Sequence, residues 1–423
     1  MSRAEKAWVL YDVGNSAFVL VMVTAIVPIF FKEYSAAGLD RATSTAYWGY
    51  ANSCASLVLA LFAPLLGAFA DYGRKKMLFV FFLIVGLVFT LSLSMIGKGQ
   101  WVLCLALFIP ARIGWAGSNI FYDSMLVDVT SPSRFDHIST QGYGWGYVGS
   151  VIPFVAVISL ILSAGMADGL PVSAVKTGFL LVAAWWLMFS LPMILHVRQT
   201  SGMSPSSAPV RDAFSSLFDT MRQIAQKKTI LLFLGAYFFY IDGVGTIISM
   251  STAYGHDLGF GVKMLIVVLL FIQLVAFPFA LLYGKLASVF STRTMLLTGI
   301  GLFCCATLLA FLLAWITDPF QKQLLFWLVA FLIASSMGGL QALSRSYFGR
   351  LIPPEASAEY FGFYNVFGKF AAIVGPLLMG ITGHLTGDTR WGVLSILVLF
   401  VIGGLLLSLV KEPLDGSDAS DRF

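Results

Sequence analysis

Residues 338–378 read GGLQALSRSYFGRLIPPEASAEYFGFYNVFGKFAAIVGPLL, which is two apolar segments of helical length joined by a Pro-Pro break. Arg345, Arg350 and Lys369 lie inside sequence that otherwise has the composition of membrane-spanning helices. A cation in the hydrocarbon core costs roughly 2.5–3.5 kcal/mol even on the more lenient insertion scales. Charges kept at such a cost usually mark an ion or solute route, so these three residues are candidate functional residues.

The same pattern occurs earlier in the chain with the charges reversed. A shift of 222 residues aligns Asp123 with Arg345, Asp128 with Arg350, Asn119 with Gln341, and Pro132 with Pro354. The chain therefore has the pattern of two copies of one unit. At equivalent places one copy carries acids and the other carries bases.

The composition describes a chain that is solvated mainly by lipid. Of its 423 residues, 58% are hydrophobic and 11% are charged, against roughly 25% charged in a soluble domain. The mean hydropathy is +0.87. The net charge of +5 comes mainly from basic residues in short loops on one side of the apolar segments. We therefore expect a lipid bilayer as the chain's partner, and no nucleic acid.

Twelve apolar segments are each long enough to cross about 30 Å of hydrocarbon as a helix. They are residues 8–31, 44–70, 77–97, 101–129, 139–165, 176–197, 229–255, 262–290, 294–316, 322–350, 357–385 and 390–410. Fifteen Lys and Arg residues lie on one side of these spans and seven on the other, which predicts that both termini are cytosolic. We predict an all-α integral membrane protein of twelve transmembrane helices in two pseudo-symmetric six-helix bundles.

A polar break divides six spans from six, as in two parallel repeats. It predicts an N-terminal bundle at 1–197, a cytosolic linker at 198–228, a C-terminal bundle at 229–411 and a cytosolic tail at 412–423. Apolar residues recur at helical spacing in the linker, namely Phe214, Leu217, Phe218, Met221 and Ile224. An amphipathic helix with this pattern fits either the cytosolic membrane surface or the loops of its own domain.

The turn after the second span reads GAFADYGRKK at residues 67–76. Its acid, Asp71, can accept hydrogen bonds from a neighbouring helix N-terminus, and the basic turn fixes the cytosolic face. A weaker copy, GKLASVFSTR at residues 284–293, has Ser288 in place of the acid. These loops resemble the signature loop of the major facilitator superfamily, although the first is one residue shorter between the acid and the basic run.

Three further stretches resemble the vacuole-effluxer-like branch of that superfamily. They are WVLYDVGNSAF at residues 8–18, FYIDGV at 239–244 and GLQALSRS at 339–346. The resemblance extends over nearly the whole chain and implies a transporter. Fungal vacuolar members of the branch are associated with amino-acid efflux, and most bacterial members have no assigned substrate.

In this superfamily spans 1, 4, 7 and 10 line the central cavity, so the resemblance implies that the solute binds there. The spacing of Arg112, Asn119 and Asp123 on span 4 places all three on one helical face. The candidate substrate-binding residues are Arg112, Asn119, Asp242, Thr246, Gln341, Asn365 and Lys369. For Arg112, Asp242 and Lys369, a buried ion pair that fixes helix packing is the alternative role.

A motif that the sequence lacks limits the possible energy sources for transport. No Walker loop of the GxxxxGK[ST] type is present, which excludes ATP-driven pumping by this chain. A desolvated carboxylate is the natural proton carrier, since burial disfavours its charged form. Asp242 is the first candidate for coupling and Asp12 the second, although Asp12 also fits an anchor for span 1. Sodium coupling by Asp242 with Thr246 and Ser249 oxygens stays open.

Six charges near the cytosolic ends of the spans are candidate gate residues. They are Asp123, Arg345, Asp71, Arg74, Asp128 and Arg350. Asp123 and Arg345 fit either a latch between the two halves or part of a substrate site. The other four fit structural gate or loop charges.

The predicted function is secondary active transport of a small polar, charged solute such as an amino acid, by alternating access and with a proton as the coupling ion. Sugars, peptides, drugs or lipids as cargo, and a non-transporting membrane sensor, are the alternatives. We expect no enzymatic activity, cofactor or metal site, because no catalytic or metal-binding motif is present. A monomer in the cytoplasmic membrane of a bacterium is expected.

Overall fold

The computed structural model describes residues 1–165, 170–204, 209–313, 315–386 and 389–410, without the side chains of 25 residues within these ranges, Phe214 and Lys369 among them. Within these ranges the chain forms helices, turns and irregular segments, and no β-strand. The predicted cytosolic tail at 412–423 lies outside the described residues.

The first half of the chain forms six long helices. They are α1 (Arg3–Ser35), α2 (Arg41–Asp71), α3 (Lys75–Ser92), α4 (Trp101–Ser124), α5 (Phe135–Ser163) and α6 (Val172–His196). Within α1 two α-helical segments, Arg3–Ala17 and Val27–Phe30, alternate with the wider π-helical turns of Phe18–Ile26 and Phe31–Ser35. Pro28 has no N–H to donate to the preceding turn, which is consistent with a locally altered helix.

The second half begins with a separate linker helix. This is α7 (Pro209–Gln226), and the helices that follow are α8 (Lys228–Asp257), α9 (Val262–Phe290), α10 (Thr292–Leu313), α11 (Pro319–Leu351), α12 (Ser357–Thr386) and α13 (Thr389–Ser408). A short helix, Leu126–Val129, follows α4, and single 3-10 turns, Pro132–Arg134 and Pro354–Ala356, precede α5 and α12.

Each of the twelve predicted apolar segments lies on one of these long helices. Eleven helices within the described residues are long and apolar enough to cross a membrane. The segment predicted at 357–385 forms α12, a helix of 30 residues, which is about 45 Å at 1.5 Å per residue. The prediction of an all-α membrane protein is confirmed.

Several helices begin at a residue whose side chain satisfies the free backbone N–H groups of the first turn. Ser2 and Glu5 form a capping box at the start of α1, with Glu5 N donating to Ser2 Oγ at 3.1 Å and Ser2 N donating to Glu5 Oε2 at 2.6 Å. Asp40 caps α2 and Asp318 caps α11, where Pro319 occupies the first helical position. These caps explain where the chain leaves its loops and begins α1, α2 and α11.

The contacts divide the described chain into two units, each consisting mainly of one run of six spans. Unit 1 comprises Met1–Val129, Trp145–Leu217 and Glu355–Val366, and unit 2 comprises Thr130–Gly144, Phe218–Pro354 and Phe367–Phe423. Unit 1 therefore includes the first turns of α12, and unit 2 includes the first turns of α5. Each of these two helices is thus divided between the two units.

Close helix packing in unit 1 depends on small residues. A Cβ atom on Gly114 of α4 would overlap the backbone of Gly86 on α3, so the two helices approach to backbone contact at this point. Membrane helices associate through such small-residue contacts because apolar side chains gain little by leaving lipid.

Candidate functional site

A buried polar cluster joins α1 to α4 within unit 1, and it is called the Asp12 cluster below. Its members are Asp12, Asn15, Trp115, Asn119 and Tyr122. Tyr122 donates its hydroxyl hydrogen to Asp12 Oδ2 at 2.7 Å, and Asn15 Nδ2 donates to Asp12 Oδ1 at 3.3 Å. Asn15 Oδ1 accepts hydrogen bonds from Asn119 Nδ2 at 3.0 Å and from the indole nitrogen of Trp115.

The Asp12 cluster holds a carboxyl group away from water. Asp12 is 4% exposed, and each of its oxygens accepts a hydrogen bond, which stabilises a buried carboxylate. The amide oxygen of Asn119 is also buried, and it accepts no hydrogen bond from the described residues. A buried acceptor without a partner is costly, so a donor group from a ligand would stabilise it.

Arg112 lies midway along α4 and donates from Nη1 to Asn52 Oδ1 on α2, within unit 1. Its side chain is partly buried. A guanidinium carries five N–H donors, so one bond to a neutral amide leaves others for an anionic group. Arg112 and Asn119 are seven residues apart on α4, which places them on the same helical face two turns apart.

A second buried carboxyl group lies in unit 2, on α8. Asp242 and Thr246 are both 0% exposed and face Gly375 of α12. A Cβ atom on Gly375 would overlap Thr246 Oγ1 and would lie 2.9 Å from Asp242 Oδ1. These three residues form the Asp242 cluster.

The Asp242 cluster differs from the Asp12 cluster in its hydrogen bonding. Neither oxygen of Asp242, nor the hydroxyl of Thr246, makes a hydrogen bond of ordinary geometry with the described residues. Among the described residues, the Thr246 hydroxyl and the backbone N–H of Gly375 are donor groups close to the carboxyl group. A buried charge in such a setting is costly unless it binds a proton or a cation.

The remaining predicted substrate-binding residues are Gln341, Asn365 and Lys369. Gln341 on α11 and Asn365 on α12 are partly buried. Asn365 Nδ2 donates to the backbone oxygen of Phe361, one turn earlier in the same helix, at 3.0 Å. The side chain of Lys369 lies outside the described part of the structure.

The same tyrosine–serine hydrogen bond occurs once in each unit. In unit 1 the hydroxyl groups of Tyr11 on α1 and Ser118 on α4 lie 2.8 Å apart. In unit 2 those of Tyr240 on α8 and Ser344 on α11 lie 2.7 Å apart. Because α1 and α4 correspond to α8 and α11 in the repeat, the pair of bonds is a local trace of internal symmetry.

Asp71 terminates α2 and is fully buried. Its Oδ1 accepts from the backbone N of Ala358 at 3.0 Å and its Oδ2 from that of Glu359 at 2.9 Å, so it occupies the N-terminus of α12 within unit 1. A helix N-terminus favours negative charge and presents free N–H groups. Gly67 permits this approach, because a Cβ there would overlap the backbone of Ala358.

Lys75, also fully buried, links Asp71 to the end of α4. Its Nζ lies 3.6 Å from Asp71 Oδ1 and 3.3 Å from Asp128 Oδ2, and it donates to Ser357 Oγ at 2.8 Å. Asp128 Oδ1 also accepts from the backbone N of Ser201 at 2.7 Å. The beginning of the linker is thereby fastened to the ends of the first spans.

In unit 2 the charges occur in the reverse arrangement. Arg350 Nη2 lies 2.7 Å and 2.8 Å from the two carboxylate oxygens of Asp136, at the start of α5. Thr292, at the start of α10, donates to the same carboxylate at 2.6 Å, and Ser346 of α11 also donates to it. The Arg350 and Asp136 side chains are 13% and 14% exposed.

Arg345 is 2% exposed and contacts α5 within unit 2. Its Nε donates to Ser139 Oγ at 2.9 Å, and its Nη2 donates to the backbone oxygen of Ser139 at 3.1 Å. The guanidinium carbon lies 4.5 Å from the ring centroid of Tyr143, a cation–π distance.

The other two predicted gate residues have different surroundings. Asp123 is partly buried near the end of α4 and lies close enough to Tyr11 to act on it electrostatically. Arg74 is exposed, with its guanidinium carbon 4.8 Å from the ring centroid of Phe69. The structure thus brings Asp71 and Asp128 together through Lys75 and leaves Arg74 at the surface.

The sequence repeat does not single out Asp136 or Ser139, although both contact predicted gate residues. The 222-residue shift places them on Ala358 and Phe361, so neither has a polar counterpart. A weaker signal is the position of Asp136 just after the Pro132 turn, where an acid in a first helical turn compensates the helix dipole.

Comparison with known proteins gives one family and several relatives. The family described as "Vacuole effluxer Atg22 like" matches residues 35–133 and 128–415. An uncharacterized MFS-type transporter of Bacillus subtilis, YxiO, is 45% identical over 416 residues, which is 97% of this chain and 95% of the relative. Autophagy-related protein 22-1 of Sclerotinia sclerotiorum is 26% identical over 295 residues, 63% of this chain and 48% of that protein.

Solved structures with the same fold are more distant in sequence. The major facilitator superfamily transporter FucP in the outward conformation has a TM-score of 0.72 at 15% identity, covering 97% of this chain and 98% of its own. The human organic anion transporter MFSD10 has a TM-score of 0.66 at 16% identity, covering 96% and 98%. At these identities the likeness concerns the fold alone.

Proposed function

Because the chain belongs to the vacuole effluxer Atg22-like family of major facilitator superfamily transporters, we propose that it is a secondary active carrier of a small polar, charged solute. The family and the fold are those of membrane transporters and not of enzymes. The proposed cycle is alternating access, in which the solute site opens to one side of the membrane at a time.

The observation that carries the proposal is the buried Asp242 carboxyl group of α8, which lacks ordinary hydrogen bonds to the described residues. Such a group is expensive in a membrane protein and is usually kept for function. We assign it the coupling role. A proton needs only the carboxyl group, whereas a sodium ion needs several oxygen ligands and Thr246 offers one more.

Asp12 is the second coupling candidate, and its hydrogen bonds give it a different character. Tyr122 and Asn15 both donate to it, so the Asp12 carboxylate is stabilised without a ligand. We therefore place Asp242 first, and Asp12 keeps its alternative role as an anchor between α1 and α4.

Amino acids are the solute class that we propose. An amino acid carries a carboxylate and an ammonium group, which suit cations and an anion respectively. Arg112 has donors beyond its bond to Asn52, and a guanidinium binds a carboxylate strongly. We assign Arg112 and Lys369 to the carboxylate, Asp242 to the ammonium group or a proton, and Asn119, Thr246, Gln341 and Asn365 to polar contacts.

For the cytosolic side we propose a gate made by the charged helix ends. Asp71 with Lys75 and Asp128, and Arg345 with Arg350, would together stabilise the closed arrangement, since both sets of contacts are made in this structure. Breaking these contacts is the expected cost of opening. Arg74 and Asp123 belong to the proposed gate by position.

The proposed setting is the cytoplasmic membrane of a bacterium, with both termini in the cytosol and the chain acting as a monomer. The excess of Lys and Arg in one set of loops supports this orientation. The Bacillus relative, similar over nearly its full length, supports a bacterial membrane.

Exchange of labelled solutes by the purified protein in vesicles tests the assignment. Vesicles loaded with one unlabelled amino acid, sugar or peptide mixture are diluted into labelled solute of the same class. We expect counterflow with amino acids, its loss in Arg112→Gln, and its retention in Lys98→Gln, a matched exposed cation in a loop. Counterflow with another class only would contradict the amino-acid assignment, and none with any class would contradict the carrier function.

A further inference from the structure

The linker helix α7 exposes large apolar side chains, which a helix of a soluble protein usually buries against its own core. Phe218 is 69% exposed and Met221 is 51% exposed, although each lies on an otherwise polar segment. We propose that this face of α7 is an interfacial membrane-binding surface that inserts into the cytosolic leaflet and binds anionic phospholipid headgroups.

The helix has two apolar stripes, and the protein covers one of them. Ala213, Thr220 and Ile224 share a face, and all three are at most 6% exposed. Phe218 and Met221 lie on the adjoining face, three residues apart. The apolar surface of α7 is thus wider than the part that the protein covers. This pattern is typical of a helix that lies between protein and lipid.

The middle and the C-terminal end of α7 are tied to the first turns of membrane spans. Gln226 ends α7, and Lys228 begins α8 after a single intervening residue. Ser216 donates to Glu359 Oε2 at 2.7 Å, and Glu359 is the third residue of α12. Because α8 and α12 begin two odd-numbered spans, they start on the same side of the bilayer. The axis of α7 between Ser216 and Gln226 therefore follows the membrane surface.

Charge favours anionic lipid at this surface. Arg222 is exposed one turn beyond Phe218, and Lys228 is exposed at the start of α8. A basic side chain on an interfacial helix reaches lipid phosphate while its stem covers apolar surface. Asp219 is exposed about 100° around the helix from Phe218, on the side away from Met221, and faces water in this orientation.

Spin labels on α7 test the proposal without any transport assay. Single cysteines replace Phe218, Met221 or Asp219 in a variant whose four native cysteines are replaced, and the full-length protein is placed in phosphatidylglycerol or phosphatidylcholine vesicles. Labels at 218 and 221 are expected to collide several-fold more with oxygen than with an aqueous nickel chelate. The label at 219, the matched control, should show the reverse.

The lipid preference has its own readout. Arg222→Gln should raise the phosphatidylglycerol content needed for half-maximal immersion of the 218 label about fivefold. Equal access of the chelate to 218 and 219 in both vesicles would overturn the proposal. Shielding of the 218 label from both reagents would also overturn it, because the face would then be covered by protein. A Phe218→Trp variant repeats the test without the cysteine replacements. Brominated lipids should quench the tryptophan fluorescence of this variant more than that of the parent protein.

Discussion

Gly375 shows how the lack of a side chain shapes the Asp242 cluster. A methyl group there would overlap the Thr246 hydroxyl and press on Asp242, whereas Gly380 on the same helix has no heavy atom within 4 Å of an added Cβ. We expect Gly375→Ala to lower the apparent Tm in detergent and to impair transport, at a cost of about 1–3 kcal/mol from overpacking. Gly380→Ala should leave both nearly unchanged. Equal behaviour of the two variants would contradict close packing at Gly375.

The two tyrosine–serine bonds provide a matched pair of substitutions. Each serine also donates to its own helix, Ser118 to the Trp115 carbonyl at 2.8 Å and Ser344 to the Leu340 carbonyl at 2.6 Å. Tyr11→Phe and Tyr240→Phe should therefore cost similar amounts, toward the lower end of about 0.5–1.5 kcal/mol. Thermal unfolding of both variants checks this. A large loss in one and none in the other would show that the bonds are not equivalent.

Two buried charges of unit 1, Asp71 and Lys75, lie at helix ends. Asp71→Ala removes two hydrogen bonds from the N-terminus of α12 and leaves Lys75 with fewer anionic contacts. Because a buried ion then lacks part of its partner set, we expect a loss of about 3–5 kcal/mol, seen as a large fall in apparent Tm. The exposed Arg74→Ala, three residues further on, is the control and should change little.

The outcome of that comparison separates two roles for the turn after α2. If Arg74→Ala were as damaging as Asp71→Ala, the whole basic turn, and not the contact between Asp71 and α12, would hold this end of unit 1 together.

The Asp136–Arg350 contact makes a quantitative prediction for unit 2. The pair is mostly buried, with two N···O distances below 3 Å, so a double-mutant cycle of Asp136→Asn and Arg350→Gln should give a coupling energy of about 0.5–3 kcal/mol. Unfolding of the two single variants and the double variant supplies the cycle. Additive effects would mean that the two side chains lie close together without a measurable coupling energy, as in many exposed ion pairs.

The helices themselves were predictable because the bilayer imposes one simple rule on each. A span needs about 20 apolar residues, and every predicted segment meets a helix of that kind. The role of Asp71 was also predictable, since an acid at a helix end can accept hydrogen bonds from a neighbouring helix N-terminus. Its partners, Ala358 and Glu359, were not, because contacts between distant helices leave no local pattern.

The contacts of Asp136 and Ser139 illustrate the same difficulty. Side chains that complete a charged network need only the right depth and angle, and any polar residue can serve. Arg345 and Arg350 stand out as charges in apolar sequence, whereas their partners, Ser139 and Asp136, lie among the other polar residues at the start of α5. A charged residue in apolar sequence is therefore easier to find from the sequence than the polar residue that it contacts.

Across the full chain, the internal repeat is clear but not uniform in register. The 222-residue shift aligns the charged ends and prolines, yet the equivalent serines, Ser118 and Ser344, are 226 residues apart. Four residues are about one helical turn. The two halves thus share the tyrosine–serine contact, while the charged ends of their helices differ in register and in sign of charge.

The proposed role of the Asp242 carboxyl group is to couple solute movement to a proton gradient. It is tested most directly by measuring, in the same vesicles, gradient-driven accumulation and solute exchange for the parent protein and for Asp242→Asn. Asp219→Asn, an exposed carboxylate, serves as the control. We expect Asp242→Asn to lose accumulation and to retain exchange, while the control keeps both. Accumulation at the parent level in Asp242→Asn would contradict the proposed role.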